Sequence, residues 1–290
     1  MIDPIRIEHA LSNTLSTSTL DGSPERLSCA LRYAVFPGGA RVRPRLLAAV
    51  ALANGDDRPA LTDAAATAIE LLHCASLVHD DLPCFDDANL RRGKPSLHVA
   101  FGEPLAVLTG DALIVMAFQV LGRACTAAPD RLAALLAIIG AGVGAPHGIV
   151  AGQAWECEDD IPLSRYQQEK TGALFAAATM AGAAAAGVEA EPWRRLGQCI
   201  GEAYQVADDL LDANGDARTV GKPVGQDRHN DRPSAVREMG QRASAKRLSD
   251  LVEEALGSIP ACPGEAALRE LIARESEQFV KLALRCRAAA

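Results

Sequence analysis

The chain has 290 residues, which allows one large domain or two small ones. Its formal net charge of -8 argues against nucleic acid as a main partner, although Mg²⁺ and a few local arginines would still let it hold anionic phosphates. Aromatic residues make up only 4%, and runs rich in Ala and Leu point to helices rather than sheets.

The N-terminal MIDPIRIEHALSNTL lacks the charged-then-apolar pattern of a signal peptide. Helices are expected over 5–16 and 23–35, ending at the turn signal Phe36-Pro37-Gly38-Gly39. Ala40-Arg41-Val42-Arg43-Pro44-Arg45 then opens the apolar helix LLAAVALANG. Gly38 and Gly39 would let the backbone approach a ligand, and three arginines at a helix start suit a phosphate group. A basic surface turn is the alternative.

Leu71 to Ser96, LLHCASLVHDDLPCFDDANLRRGKPS, is the densest stretch of chemistry. Thr62 and Asp63 are candidate caps for a helix of unbroken apolar period, and Pro83 should end it near Asp81. Asp80 and Asp81 then sit at a helix C-terminus, where the macrodipole is already negative and each misplaced charge costs roughly 0.3–1 kcal/mol. Asp86 and Asp87 follow, and a bound cation would remove the conflict. Arg91 and Arg92 suit a diphosphate, since guanidinium forks bind phosphate oxygens bidentately. The plain alternative is an acidic loop paired with its own arginines.

Further helices are expected over 104–122 and 130–140. Leu132 to Val150 is long and apolar, but Gly140, Gly142, Gly144, Pro146, His147 and Gly148 interrupt it, so a core helix and loop are expected rather than a membrane span. The eight cysteines form no CxxC pair and read as reduced, mostly buried thiols of a cytoplasmic protein. GIVAGQAWECEDD mixes close-packing Gly with Gln153 and acids. Ser164 is expected to cap a helix running to Gly187, in which Lys170, Thr171 and Gly172 interrupt the apolar pattern; Lys170 either snorkels to solvent or enters a polar cavity.

A second key helix starts at Pro192 and stops at Asn214-Gly215. Gln205, Asp208, Asp209 and Asp212 should share one face, with like charges at i and i+4 in the last turn. So the chain twice places carboxylates against a helix dipole, which a shared cluster of divalent cations would explain. The loop 215–234 reads as a lid over a phosphate site, with Lys222 as its cation, and helices 234–258 and 264–287 close the chain.

Together these segments resemble the short-chain trans-polyprenyl diphosphate synthases. HDDLPCFDDANLRRGKP is similar to the family's first aspartate-rich motif with its arginine pair, and QVADDLLD to the second. GGARVRP, Lys170-Thr171-Gly172 and Gly221-Lys222 stand where the family has its other diphosphate contacts. The overall wording is similar to bacterial geranylgeranyl diphosphate synthases of carotenoid and bacteriochlorophyll pathways, and the resemblance treats residues 1–290 as one domain.

The resemblance implies an all-α fold of ten or more helices around a central cavity, a homodimer without stable membrane insertion, and head-to-tail joining of isopentenyl diphosphate to an allylic diphosphate with three Mg²⁺ (Mn²⁺ as the alternative ion). By position, Asp80, Asp86 and Asp208 would ligate metal, supported by Asp81, Asp209 and Asp212. Arg91, Lys170, Thr171, Gln205 and Lys222 would hold the allylic diphosphate; Arg43, His73 and Arg92 would hold isopentenyl diphosphate. Ala40 departs from the family's usual Lys, so that contact is either missing or made by Arg41. After the lid, Arg232 and Ser234 stand where the family often has Lys and Thr.

Ala75 and Ser76 lie about one turn below Asp80, at ~1.5 Å per residue. Family members that stop at fifteen carbons often have an aromatic residue at the position of Ala75. Its small side chain leads us to expect the twenty-carbon geranylgeranyl diphosphate, and the Pro83-Cys84 insertion between the acids agrees with the bacterial type of the family. The rivals are a farnesyl diphosphate synthase and a non-catalytic subunit that modulates another synthase; the latter usually loses aspartates that are intact here.

Overall fold

The computed structural model of this chain describes residues 4–18, 22–36, 38–160, 162–214 and 234–285. Among these the fold is all-α, with one short hairpin. Two compact units divide the chain, one of Met1–Ile139 with Ala181–Val188 and the other of Gly140–Met180 with Glu189–Ala290.

The first unit holds α1 (Pro4–Ser18), α2 (Glu25–Val35), α3 (Val42–Ala53), α4 (Pro59–Asp80), α5 (Leu97–Phe101), α6 (Glu103–Ala124) and most of α7 (Pro129–Val143). Its core helix is α4, buried on nearly all sides and packed against α3 and α6. Leu71 and Leu72 of α4 meet no solvent to speak of, nor do Leu113 and Leu121 of α6; each such side chain contributes about 1.5–3 kcal/mol. The helix begins a turn earlier than Thr62 and Asp63 suggested. Pro59 opens it, where its missing N–H is harmless. Thr62 is instead buried and donates to Asp56 at 2.5 Å, while Asp63 pairs with Arg6 at 2.6 Å. The other end falls at Asp80, with Asp81 as the C-cap, as Pro83 requires.

The second unit carries α8 (Ile149–Ala154), α9 (Leu163–Gln167), most of α10 (Ala173–Ala185), α11 (Arg194–Asn214), α12 (Ala235–Met239), α13 (Gln241–Gly257) and α14 (Glu265–Arg285). Ala203, Val206, Ala207 and Leu210 form the apolar stripe of α11 and pack on Leu248 and Leu251 of α13. Three boundaries differ from expectation. Pro192 belongs to a 3₁₀ turn, Glu191–Trp193, so α11 starts at Arg194. The helix expected from Ser164 is interrupted by a π-helical turn, Gln168–Gly172, and its N-cap is Pro162, so Ser164 lies inside the first turn and caps nothing. Gly240, at φ 80°, separates α12 from α13.

Lys222, with Thr219, Val220, Gly221 and Arg232, falls outside the described residues. Among the described residues, the two helices long and apolar enough to cross a bilayer are Pro59–Asp80 and Glu103–Ala127, not the 132–150 stretch. The first is a core helix, 78% buried over its apolar window; the second is only 39% buried. Cys74, Cys125 and Cys199 are buried, but Cys29, Cys84 and Cys157 are exposed, so the thiols are less uniformly buried than expected.

Candidate active site

In the first unit the loop after α4 folds straight back on the helix end. The Asp86 amide donates to the Asp80 carbonyl at 3.0 Å, and the Ala88 amide to the Asp81 carbonyl at 3.2 Å. Asp86 is thereby set beside the helix terminus, and both Asp80 and Asp86 stay half-buried. The chain then makes a hairpin, β1 (Leu90–Arg91) with β2 (Lys94–Pro95). Arg92 and Gly93 form its two-residue loop at φ 53° and 74°, the positive values a primed turn demands.

That hairpin decides what the aspartates do. Arg91 lies against Asp81, its Nε donating to Oδ1 at 2.9 Å and to Oδ2 at 3.2 Å, with Nη2 also on Oδ1. Asp80 is farther, 3.6 Å from the same guanidinium. Asp81 is only 2% exposed, and burial raises its pKa, partly offset by Arg91. The Asp81 carboxylate is held by Arg91 and in turn orients that arginine.

Arg43 on α3 and His73 on α4 meet with Nη1 and Nε2 3.4 Å apart. Arginine only donates, so Nε2 accepts and the imidazole is neutral. Burial, then the charges of Arg43, Arg92, Arg91 and Arg41, lower the His73 pKa well below its ordinary 6.5. Arg92 closes the group, because Gly39 has no side chain: a Cβ there would lie 3.0 Å from the Arg92 guanidinium. Arg43 and His73 thus meet, and the Arg92 charge acts on the same imidazole. Arg41 is not available to replace the lysine missing at Ala40. It is 6% exposed and donates to Glu70 at 2.6 Å, to Glu8 at 2.8 Å and to the Val35 carbonyl at 2.8 Å, closing a buried ion-pair network that fixes α1 and α3 to α4.

A histidine whose folded-state pKa is depressed contributes stability that is present above its unfolded value and lost as pH falls. Lowering pH from 7.5 to 5.5 should therefore destabilise the protein through His73, by up to ~1.4 kcal/mol per pH unit. Thermal melts of His73→Gln should show a smaller loss over the same interval. Equal losses in the two proteins would remove His73 as the cause.

In the second unit α11 splits its acids between two strips rather than one face. Asp208 and Asp212 are half-buried, whereas Asp209 is 2% exposed. Asp209 accepts from Gln205 at 2.8 Å, from the Ala235 amide at 2.7 Å and from Gln167 at 3.3 Å. It anchors the first amide of α12 and holds Gln205, whose carbonyl accepts from Thr171 at 2.8 Å. In both acid pairs the second member is buried and hydrogen-bonded, and the first is half-buried.

Lys170 and Thr171 ride on the π turn, an irregularity common at functional sites. Lys170 does not simply snorkel; its Nζ donates to Glu156 at 2.5 Å. Glu156 also accepts from the Tyr166 hydroxyl at 2.6 Å and from Gln153 at 2.9 Å. Glu156 was not singled out from the sequence, although its place three residues after Gln153 in an acid-bearing stretch was a usable signal. Ala75 is 1% exposed and Ser76 half-buried, both on α4 below Asp80.

Among the described residues no three His, Cys, Asp or Glu side chains form a preformed metal cage. The donors present in each unit are half-buried carboxylates, with Arg91 3.6 Å from Asp80 in the first, and oxygen donors of this kind fit hard Mg²⁺, which is commonly bound through one or two carboxylates, water and substrate phosphates.

The chain belongs to the polyprenyl synthetase family, whose model matches residues 24–271. It is 59% identical over 275 residues to the geranylgeranyl diphosphate synthase of Cereibacter sphaeroides, covering 95% of this chain and 96% of that one. It is 57% identical over 267 residues to the geranylgeranyl diphosphate synthase of Rhodobacter capsulatus, covering 92% of each. Among solved structures it is similar to a geranyltransferase from Helicobacter pylori complexed with magnesium and isoprenyl diphosphate, with TM-score 0.80, 28% identity, and coverage of 96% of this chain and 99% of that one.

Proposed function

We propose that this protein is a Mg²⁺-dependent trans-prenyltransferase that condenses isopentenyl diphosphate head-to-tail with allylic diphosphates and stops at geranylgeranyl diphosphate. The observation that carries the reading is the repeated helix end: Asp80 with Asp86, and Asp208 with Asp212, half-buried acids placed against a helix dipole. Such placement costs stability and is compensated when a cation binds. The product assignment is supported by the near full-length similarity to two geranylgeranyl diphosphate synthases.

In this reading Asp80, Asp86 and Asp208 would hold Mg²⁺, three ions per active site, with Asp212 in support. The metal supplies charge neutralisation for the departing diphosphate. Arg91, held by Asp81, and Lys170, held by Glu156, place fixed positive charge on the same leaving group, joined by Thr171 and Gln205 and by Lys222 from the 215–234 segment. Arg43, neutral His73 and Arg92 bind the diphosphate of isopentenyl diphosphate. The allylic C–O bond breaks, the isopentenyl double bond attacks the resulting cation to form the new C–C bond, and the released diphosphate takes the proton lost in restoring a double bond. No protein nucleophile is consumed.

The whole chain acts as one catalytic unit, in the cytoplasm, as a homodimer. The dimer is supported by α6, where Val107, Leu108 and Val115 are 41%, 54% and 55% exposed. Sedimentation should give twice the 30.4 kDa chain mass.

Incubating the protein with Mg²⁺, isopentenyl diphosphate and each of three primers (dimethylallyl, geranyl and farnesyl diphosphate) tests the reading. Twenty-carbon product is expected from all three. Arrest at fifteen carbons would make it a farnesyl diphosphate synthase, and no turnover with any primer would favour a modulating subunit.

A further inference from the structure

Glu169 is a buried carboxylate that the mechanism above does not use. It is 4% exposed, although it lies next to Lys170 on the π turn. Its Oε2 accepts the indole N–H of Trp155 at 2.6 Å, and its Oε1 lies 3.0 Å from Nδ1 of His147 and 3.6 Å from Nε of Arg165. The Arg165 guanidinium in turn sits over the Trp155 ring, 5.1 Å from its centre. Burial pushes the carboxyl pKa up, but the bonds from Trp155 and His147 and the charge of Arg165 outweigh it, so the group is held ionised.

Two neighbouring rungs therefore join the segment 153–157 to the π turn. Trp155 donates to Glu169, and the next residue on each side, Glu156, accepts from Lys170. A third constraint lies between them: a Cβ at Gly152 would overlap the backbone of Lys170, so the start of the turn and α8 touch main chain to main chain. A π turn has weaker intrinsic geometry than an α-helix and depends on such partners. When Lys170 turns to a diphosphate its three N–H donors are shared between that ligand and Glu156, so the Glu156 rung weakens. The Glu169 rung involves no substrate-binding atom and can persist.

We propose that Glu169 is a positioning residue, which locks the π turn through Trp155 and His147 so that Lys170 and Thr171 are aimed at the allylic diphosphate. This rests on the function proposed above. It sets a division of labour between consecutive residues: Lys170 contacts the leaving group, Glu169 keeps the turn in register while Lys170 changes partner.

The test compares steady-state kinetics of Glu169→Ala, Glu169→Gln and Trp155→Phe with the wild type, each assayed below its own melting temperature. Misplacement of a catalytic group by about 1 Å costs up to about 100-fold, so Glu169→Ala should lose roughly 10–100-fold in kcat/KM for the allylic substrate. KM for isopentenyl diphosphate should stay within about twofold of the wild type, because Arg43, His73 and Arg92 are untouched. Glu169→Gln keeps an oxygen for the indole N–H and should recover much of the loss. Trp155→Phe deletes only that donor and should fall between. Calorimetry with inorganic diphosphate and Mg²⁺ gives a readout free of turnover, in which Glu169→Ala should bind several-fold more weakly.

Unchanged allylic kinetics in both Glu169→Ala and Trp155→Phe would overturn the proposal, as would equal losses for the two substrates. If Glu169→Ala fails to fold, Trp155→Phe decides alone. A wild-type chain that condenses no primer would instead overturn the functional reading, so the two failures are distinguishable.

Discussion

Asp80→Asn should lower kcat about 10³-fold while leaving the protein as stable as the wild type or slightly more so, with Asp208→Asn behaving alike. The loss follows from removing a carboxylate that holds Mg²⁺ on the leaving group. The gain follows from position. Asp80 is the last residue of α4 and Asp208 lies in the final turns of α11, so neutralising either relieves about 0.3–1 kcal/mol of conflict with the helix dipole. Their neighbours should behave oppositely. Asp81→Asn loses the bidentate partner of Arg91, and Asp209→Asn weakens the anchor of the Ala235 amide; each leaves buried groups poorly satisfied and should destabilise by about 1–3 kcal/mol. Paired measurements of kcat and melting temperature separate the two classes. Wild-type turnover of Asp80→Asn at saturating Mg²⁺ would end the metal assignment.

Ala75→Tyr should move the main product from twenty carbons to fifteen. Ala75 lies five residues before Asp80 on α4, about 7.5 Å along the helix axis at 1.5 Å per residue. A phenol at that depth would block a chain growing down the helix, with little effect on ionisation at the helix end. Ala75 is already 1% exposed, so the ring must also displace neighbours, and overpacking of this kind costs about 1–3 kcal/mol. Ser76→Phe is the companion substitution, since Ser76 is only half-buried and should accept a ring with less strain. Chromatography of dephosphorylated products reads both. Twenty-carbon output from both variants would place the floor of the chain pocket elsewhere.

Local features of the sequence were enough for the helical class and for where the first acidic helix stops. Pro83 forbids continuation past the first pair of aspartates, whatever the rest of the chain does. The same holds for the types of residue in the site, because acids at a helix end and adjacent arginines have few other uses together. The roles within each set were not legible in this way. Successive helical residues point about 100° apart, so in a neighbouring pair of aspartates only one can face a ligand fully, and the pair alone does not say which.

Folding made that choice through partners distant in sequence. The hairpin brings Arg91 back onto Asp81, and the start of α12 brings the Ala235 amide onto Asp209. Arg41 was similarly withdrawn from substrate by Glu8 and Glu70. The π turn under Lys170 could not be read from a run that looks helical throughout; its contacts with Trp155, His147 and the bare backbone at Gly152 come from residues earlier in the chain. The chain's chemistry by itself determined which side-chain types suited to a diphosphate are present; only tertiary contacts decided which of them are buried in ion pairs, because a carboxylate or guanidinium buried without a partner costs more than one that is paired.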